Sequence, residues 1–205
     1  KRSRAIKVCN FCGEKGHNKR TCAPLKKVKV DLTTASRNFR RAVVEGIRQT
    51  GQGIGGLVSG KYSVYVNGQW KEGTGLAVIQ AVTLRNIGLF STEQDGSFHC
   101  QEQVSAEIFT VRWADSVAGT ENPTRPQTSL FYKGWRSSDL QIISPSEALD
   151  LPKGWMECED KVFQEKLGGL FRGRKAPAFK DCDPENDYGF GALIKRWRDH
   201  KSDRN

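Results

Sequence analysis

The chain has 205 residues, five tryptophans and a hydrophobic fraction of 37%, which is enough for a domain with a buried core. Its longest apolar run, around Leu76–Val82, is interrupted by Gln80 and is far too short to cross a bilayer, which excludes a transmembrane helix. The formal net charge of +10 favours anionic partners.

The positive charge is concentrated in the N-terminal quarter. Residues 1–48 hold 14 lysines and arginines against three acids, whereas the rest of the chain carries 19 basic and 20 acidic groups. Such clustering is the electrostatic footprint expected for phosphate binding. The alternative is a solvated tail whose charge only aids solubility. A membrane surface is disfavoured, because no amphipathic apolar face or lipidation motif accompanies the charges.

Four potential metal ligands lie within CNFCGEKGHNKRTC, in the spacing C-x2-C-x4-H-x4-C. They are Cys9, Cys12, His17 and Cys22. Three cysteines and one histidine are a standard closed set for structural Zn²⁺, and Gly13 permits the positive φ that a tight turn around a metal requires. Two disulfides, or free thiols with a stray histidine, are the alternatives, but disulfides suit small secreted domains. The spacing therefore predicts one structural zinc ion with no open coordination position.

This stretch resembles the CCHC zinc knuckle of retroviral nucleocapsid proteins, which also occurs in cellular RNA-binding proteins and in transposon and large-virus proteins. The resemblance covers residues 9–22 only. It implies that unpaired bases stack on a platform formed by a residue between the first two cysteines, here Phe11, and by the residue after the histidine. Many knuckles have an aromatic residue at that second position, whereas this chain has Asn18, which makes a weaker platform. The alternative is that Phe11 packs against the protein body and the knuckle docks a protein.

The basic arm extends the predicted nucleic-acid site on both sides of the knuckle. Its exposed cations would contact phosphates, with a preference for single-stranded RNA or DNA. The predicted nucleic-acid-binding residues are Phe11, Asn18, Lys15, Lys19, Arg20, Lys7, Lys26, Lys27, Lys29, Arg37, Arg40 and Arg41.

A helix is predicted over Ala35–Gln49, capped by Thr33 or Thr34, with an apolar side and a basic side. Residues 23–33 before it read as a basic linker. GQGIGG at Gly51–Gly56 matches a dinucleotide-binding glycine pattern, but it follows a helix and precedes strands, so we interpret it as a flexible hinge.

Strands dominate the prediction from Lys61 to Ser144. Asn67-Gly68 is a strong hairpin signal, and Asp95-Gly96 offers a second turn. Residues 104–112 alternate as a strand should, and SLFYKGW and DLQIIS supply further candidates. Short strands at this spacing predict an antiparallel sheet or a small barrel.

The last sixty residues predict short helices at Ser144–Asp150 and Asp160–Phe171, and a basic helical end at LIKRWRDHK. The predicted class is therefore α+β: a zinc knuckle and a basic helix, then a β-rich domain, then C-terminal helices. The predicted segments are 1–32 (arm with the knuckle), 33–60 (helix and hinge), 61–144 (β-rich domain) and 145–205 (C-terminal extension).

No linear catalytic motif is visible, so a binding protein is favoured over an enzyme. A metal-dependent nuclease stays open, since Glu102, Glu107, Asp115 and Asp139 are available. The favoured function is zinc-dependent binding of single-stranded or irregular RNA or DNA, with the β-rich body docking to a protein partner or larger assembly. The alternatives are a subunit of a nuclease or transposase and a structural component of a ribonucleoprotein or virion. Reduced thiols favour an intracellular compartment such as the nucleus or cytoplasm, and leave an organelle or virion open.

Overall fold

The computed structural model describes residues 8–85, 87–92, 98–100, 103–105, 108–114, 129–131, 134–135, 140–170, 184–185 and 189–200. Within these ranges the chain is α+β, as predicted. Its helices are α1 (Ala23–Thr50), α2 (Lys161–Leu170) and α3 (Gly189–Arg198). Its strands are β1 (Leu57–Val66), β2 (Gln69–Val82), β3 (Phe90–Thr92), β4 (Phe98–Cys100), β5 (Gln103–Ser105), β6 (Phe109–Trp113), β7 (Ser129–Phe131), β8 (Gly134–Trp135) and β9 (Leu140–Ser144).

The chain forms two compact units. Unit 1 comprises Lys1–Arg40, Gly88–Gln101 and Met156–Asn205, and unit 2 comprises Arg41–Ile87 and Glu102–Trp155. No helix among the described residues has both the length and the apolar character needed to span a membrane.

Helix α1 begins well before the predicted start, at Ala23, and runs for 28 residues. The lysines at 26, 27 and 29 suggested a linker, but apolar residues recur between them at helical spacing. The buried side of the helix includes Leu25, Val28, Leu32, Phe39, Val43 and Ile47. The segment after Pro24 is therefore the first part of a long amphipathic helix.

The glycine-rich segment after α1 is tied down by hydrogen bonds and is not the flexible hinge that we expected. Gly51, at φ 70°, ends the helix: its N–H donates to the Arg48 carbonyl at 3.0 Å, and the Gln52 N–H donates to the Ile47 carbonyl at 3.1 Å. The Gly53 N–H then donates to the Ser146 carbonyl at 2.7 Å. A Cβ on Gly53 would lie 2.5 Å from that same oxygen, so only glycine fits this approach.

The predicted Asn67-Gly68 hairpin is confirmed. Asn67 and Gly68 have φ of 51° and 82°, as a type I′ turn requires, and β1 pairs with β2 without a shift from Val66↔Gln69 to Leu57↔Val78. This hairpin forms the centre of a four-stranded antiparallel sheet in unit 2, in the order β6-β2-β1-β9. Val58, Ala77 and Ile79 are fully buried and belong to the core of unit 2.

The other strands form two small sheets. β3 pairs with β4 in unit 1, and β5-β7-β8 form a sheet in unit 2. The second predicted hairpin turn, at Asp95-Gly96, lies outside the described residues, although the strands on either side pair. The strand predicted over residues 104–112 is two strands, β5 and β6.

The C-terminal helices agree with the prediction in two cases out of three. α2 and α3 form where expected, but no helix forms at Ser144–Asp150, because Ser146 and Ala148 pair with the glycine-rich segment in extended form. In unit 1, α3 contacts α1 through the Asn38 amide, which donates to the Trp197 carbonyl at 2.8 Å. The rings of Phe39 and Trp197 meet edge to face at 5.0 Å.

Candidate metal centre

The first two metal ligands sit on a tight turn that the backbone closes on itself. The Gly13 N–H donates to the Cys9 carbonyl at 2.9 Å, and the Cys9 N–H donates to the Glu14 carbonyl at 2.8 Å. Gly13 and Gly16 have φ of 80° and 91°, a region that suits glycine. The chain thus reverses between Cys12 and His17 and brings all the predicted ligands to one side.

Cys9, Cys12, His17 and Cys22 form one cluster, as the spacing predicted. Their ligand atoms all lie within 4.8 Å of one another, and the Cys12 Sγ lies 3.1 Å from the His17 Nε2. Metal–sulfur bonds of about 2.3 Å place the sulfurs of a tetrahedral site about 3.8 Å apart, so this donor set fits such an ion. Among the described residues it is the only group of this kind.

Backbone N–H groups point at the sulfurs. Burial tends to raise the pKa of the Cys9 thiol, but the N–H groups of Cys12 and Phe11 donate to its sulfur, and its pKa falls to about 7. Burial raises the pKa of Cys22 to about 11, opposed by a hydrogen bond from the Leu25 N–H. A bound cation favours thiolates, and these N–H donors stabilise them further.

The last ligand is also the residue that precedes helix α1. The Cys22 carbonyl accepts a hydrogen bond from the Lys26 N–H at 3.1 Å, and its sulfur accepts one from the Leu25 N–H. Cys22 therefore occupies the N-cap position, where a side-chain acceptor satisfies an otherwise unpaired helix donor. Sequence reasoning missed this continuity because it placed a linker there.

A groove of about 560 Å³ opens beside the cluster, lined by Val8, Asn10, His17, Asn18, Lys19 and Arg20. Val8 is 46% exposed and supplies the apolar surface. The Asn18 Oδ1 accepts a hydrogen bond from the Arg20 N–H at 2.8 Å, which orients the amide and leaves its NH₂ group as a donor. The groove thus combines an aliphatic wall, an imidazole, two amides and two cations.

Phe11 does not line this groove. Its side chain is fully buried, whereas a stacking platform needs an exposed ring face. The structure therefore fits the alternative that we described for Phe11, packing against the protein body. Val8 and Asn10, which the sequence analysis did not select, line the groove instead. Both are adjacent to the metal ligand Cys9 in the sequence, and this position could have indicated that they lie at the site.

Apart from Arg40, the predicted phosphate-contacting residues divide into four groups. Lys15, Arg20, Lys26, Lys27 and Arg41 are exposed, and no acid among the described residues pairs with them. Lys29 is exposed, and Lys19 is half-buried at the groove. Arg37 is exposed, but its Nε donates to the Glu157 carbonyl at 3.2 Å. Lys7 lies outside the described residues.

Arg40 departs from the prediction. It is 2% exposed, and its guanidinium pairs with the Asp160 carboxylate at 2.5 Å, so it is unavailable to a phosphate. The acids considered for a nuclease, Glu102, Glu107, Asp115 and Asp139, all lie outside the described residues.

Comparisons of the chain with protein-family models, with curated proteins and with solved structures find no match. The interpretation of the site therefore rests on its donor set, its groove and its charge.

Proposed function

We propose that the chain is a zinc-dependent nucleic-acid-binding protein that holds single-stranded or irregular RNA or DNA. The groove beside the metal cluster carries this proposal. It places one aliphatic side chain, Val8, next to two amides and two cations, and these groups can contact the face of a base, its edges and its phosphate.

Zinc is the metal that the donors favour. Three sulfurs and one imidazole nitrogen, all within 4.8 Å of one another, are a donor set that suits Zn²⁺, which prefers four such ligands. Four protein ligands leave no position for water, so the ion supports the turn and takes no part in catalysis. We expect one zinc ion per chain, lost to a strong chelator, and reduced thiols require a reducing compartment.

An unpaired base fits the groove better than a duplex does. The groove volume lies within the range of small-ligand sites, which matches one or two nucleotides. The Asn18 NH₂ can donate to a base carbonyl or ring nitrogen, and Asn10 can donate or accept. Bases in a duplex are stacked and paired, so these edges are accessible only in single strands, loops and ends.

The phosphates beyond the base would follow the cations around the cluster. Lys19 and Arg20 line the groove, and Lys26 and Lys27 lie in the first turns of α1. The N-terminal end of a helix adds partial positive charge to theirs. A protein that reads only one or two bases has modest sequence specificity, so unit 2 is free to dock this activity to a larger assembly.

Binding of the intact chain to labelled single-stranded and duplex RNA and DNA, across salt and with or without a chelator, tests the proposal. We expect binding that prefers single strands and is lost on chelation. Asn10→Ala removes an amide, and Asn18→Ser replaces the NH₂ group with a shorter hydroxyl that no longer reaches into the groove. Because a hydrogen bond contributes about 0.5–1.5 kcal/mol, each should weaken binding about twofold to tenfold.

Gln49→Ala is the matched control, because it removes an exposed amide from α1 outside the groove. Binding that ignores chelation, strand form and both asparagine substitutions would contradict the proposal and favour a protein-docking role for the knuckle.

A further inference from the structure

One face of the unit 2 sheet exposes apolar side chains at two places, with the polar Glu72 and Thr74 between them. Of the six large hydrophobic residues exposed in the described chain, three lie on this face of β2: Trp70 at 62%, Leu76 at 41% and Val78 at 39%. They occupy alternate positions of the strand and so point to the same side. Ile143, 51% exposed, lies on β9, which β1 separates from β2. Leu76 and Val78 are neighbours on this face and Trp70 lies beyond the two polar positions, so the face offers two separate apolar contacts to a partner.

The same hairpin extends beyond its neighbouring strands. β9 pairs with β1 only over Leu57–Gly60, and β6 pairs with β2 only over Ala77–Val82. Lys61–Val66 and Gln69–Gly75 therefore form a two-stranded ribbon, as far as the described strands show. A two-stranded ribbon alone is marginally stable in water, so a partner on its face would stabilise it.

The charges on this face are self-complementary. Lys61 and Glu72 are both exposed and lie on the same side of the ribbon as Trp70 and Leu76. Two directly opposed residues of β1 and β2 form one row of this face. Lys61 is opposite Thr74 and Glu72 is opposite Ser63, so Lys61 and Glu72 lie in neighbouring rows. No ion pair joins them within the chain. One base and one acid in adjacent rows match a second copy of the same surface turned end for end.

We propose that this face binds a second copy of the chain across a two-fold axis between these two rows. Rows on one face are about 6.8 Å apart, and facing sheets pack about 10 Å apart. Reversing the row order places Lys61 within reach of the partner's Glu72. The same rotation brings Trp70 over the partner's Leu76, so one axis satisfies both the charged pair and the apolar pair.

The contact is small, and this determines its strength. Five rows of two strands cover about 30 Å by 10 Å, or about 300 Å² per copy, against about 800 Å² in a stable complex. The dimer is therefore weak and forms as concentration rises.

Sedimentation equilibrium of the intact chain over a wide concentration range tests this proposal. The protein is treated with nuclease and washed in high salt to remove nucleic acid, and is then measured at low salt so that the charged pair is not screened. We expect the mass to rise from 22.9 kDa towards twice that value. Trp70→Ser and Leu76→Ser should each weaken the dimer about tenfold or more, as central apolar contacts do. Val30→Ser removes an equally exposed apolar group from α1 and should leave the dimer unchanged.

A charge exchange makes the test specific to this arrangement. Lys61→Glu and Glu72→Lys should each weaken the dimer, and the double variant should restore it, because the partners then meet with reversed signs. A mass of one chain at every concentration would overturn the proposal. So would open-ended assembly, or a double variant no stronger than the single ones.

Discussion

The Arg40 guanidinium on α1 contacts the Asp160 carboxylate, 120 positions later, with 2.5 Å between Nη1 and Oδ2. The other carboxylate oxygen accepts a hydrogen bond from the Phe163 N–H and so caps α2. One side chain therefore neutralises a buried cation and starts a helix, which ties α1 to α2 within unit 1.

Replacing this carboxylate should destabilise unit 1 strongly. Asp160→Ala leaves Arg40 buried without its partner and removes the cap, so we expect the free energy of unfolding to fall by about 3–5 kcal/mol. Asp160→Asn keeps the capping oxygen and should recover about 1 kcal/mol of that loss. Urea unfolding followed by circular dichroism measures both. Equal losses in the two variants would show that the cap contributes nothing.

Gly53 should tolerate no side chain, unlike Gly55 nearby. A Cβ on Gly53 would meet three backbone atoms of Ser146 and Ala148 at 2.5–2.7 Å, whereas a Cβ on Gly55 would meet open space. Gly53→Ala should therefore cost about 1–3 kcal/mol or more through forced displacement. Gly55→Ala should lower the free energy of unfolding by only about 1–2 kcal/mol, because alanine is disfavoured at the left-handed φ of this position. Thermal unfolding measures both variants, and a lower melting temperature for Gly55→Ala than for Gly53→Ala would contradict this prediction.

Metal removal should loosen the start of α1. Because Cys22 is both a ligand and the N-cap residue, a chelator should speed amide hydrogen exchange at Leu25 and Lys26, while Val43 in the same helix keeps its protection. Cys22→Ser retains a capping side chain but loses a ligand, and should resemble the chelated protein. Unchanged exchange at these two amides after chelation would show that the helix start is independent of the metal.

The cations after Cys22 should appear in the salt dependence of binding. Lys26→Gln with Lys27→Gln removes two phosphate contacts, so the log–log slope against salt should flatten by about 1.4 on single strands. The control pair, Lys71→Gln with Lys153→Gln, removes the same charge from exposed positions in unit 2. An equal flattening in both pairs would mean that net charge, and not these positions, governs binding.

Cys158 should react slowly with alkylating reagents in the folded chain. Its side chain is buried, and burial raises its pKa above the ordinary 9.0 despite opposing positive charge from Arg40 and Arg37. Because the pKa is higher in the folded state, the protonated thiol contributes fully to the free energy of unfolding below pH 9. This contribution is lost as the pH rises above 9, because the thiol of the unfolded chain ionises first. Mass spectrometry after iodoacetamide treatment should find Cys158 unmodified at pH 7.5, and rapid modification there would contradict this account.

Local signals predicted local structure well. The Asn67-Gly68 turn was predictable because its two residues alone determine the backbone, and the metal ligands were predictable because they lie within fourteen residues. The burial of Arg40 was not, since it depends on a partner distant in sequence, and the knuckle spacing does not indicate that Phe11 is buried. The sequence around Arg40 does not indicate that this side chain pairs with Asp160, 120 positions later.

Cys22 is both the last metal ligand and the residue before α1, so it also fixes the distance between the groove and the first turns of the helix. No residue separates the last metal ligand from the first turn of α1, so we expect the proposed binding of a strand to leave the distance from the groove to Lys26 unchanged. In a chain with a free three-residue spacer, ordering that spacer would cost about 3–6 kcal/mol of backbone entropy. The nucleic-acid complex that we propose would form without that cost, because the spacing between the groove and Lys26 is already fixed.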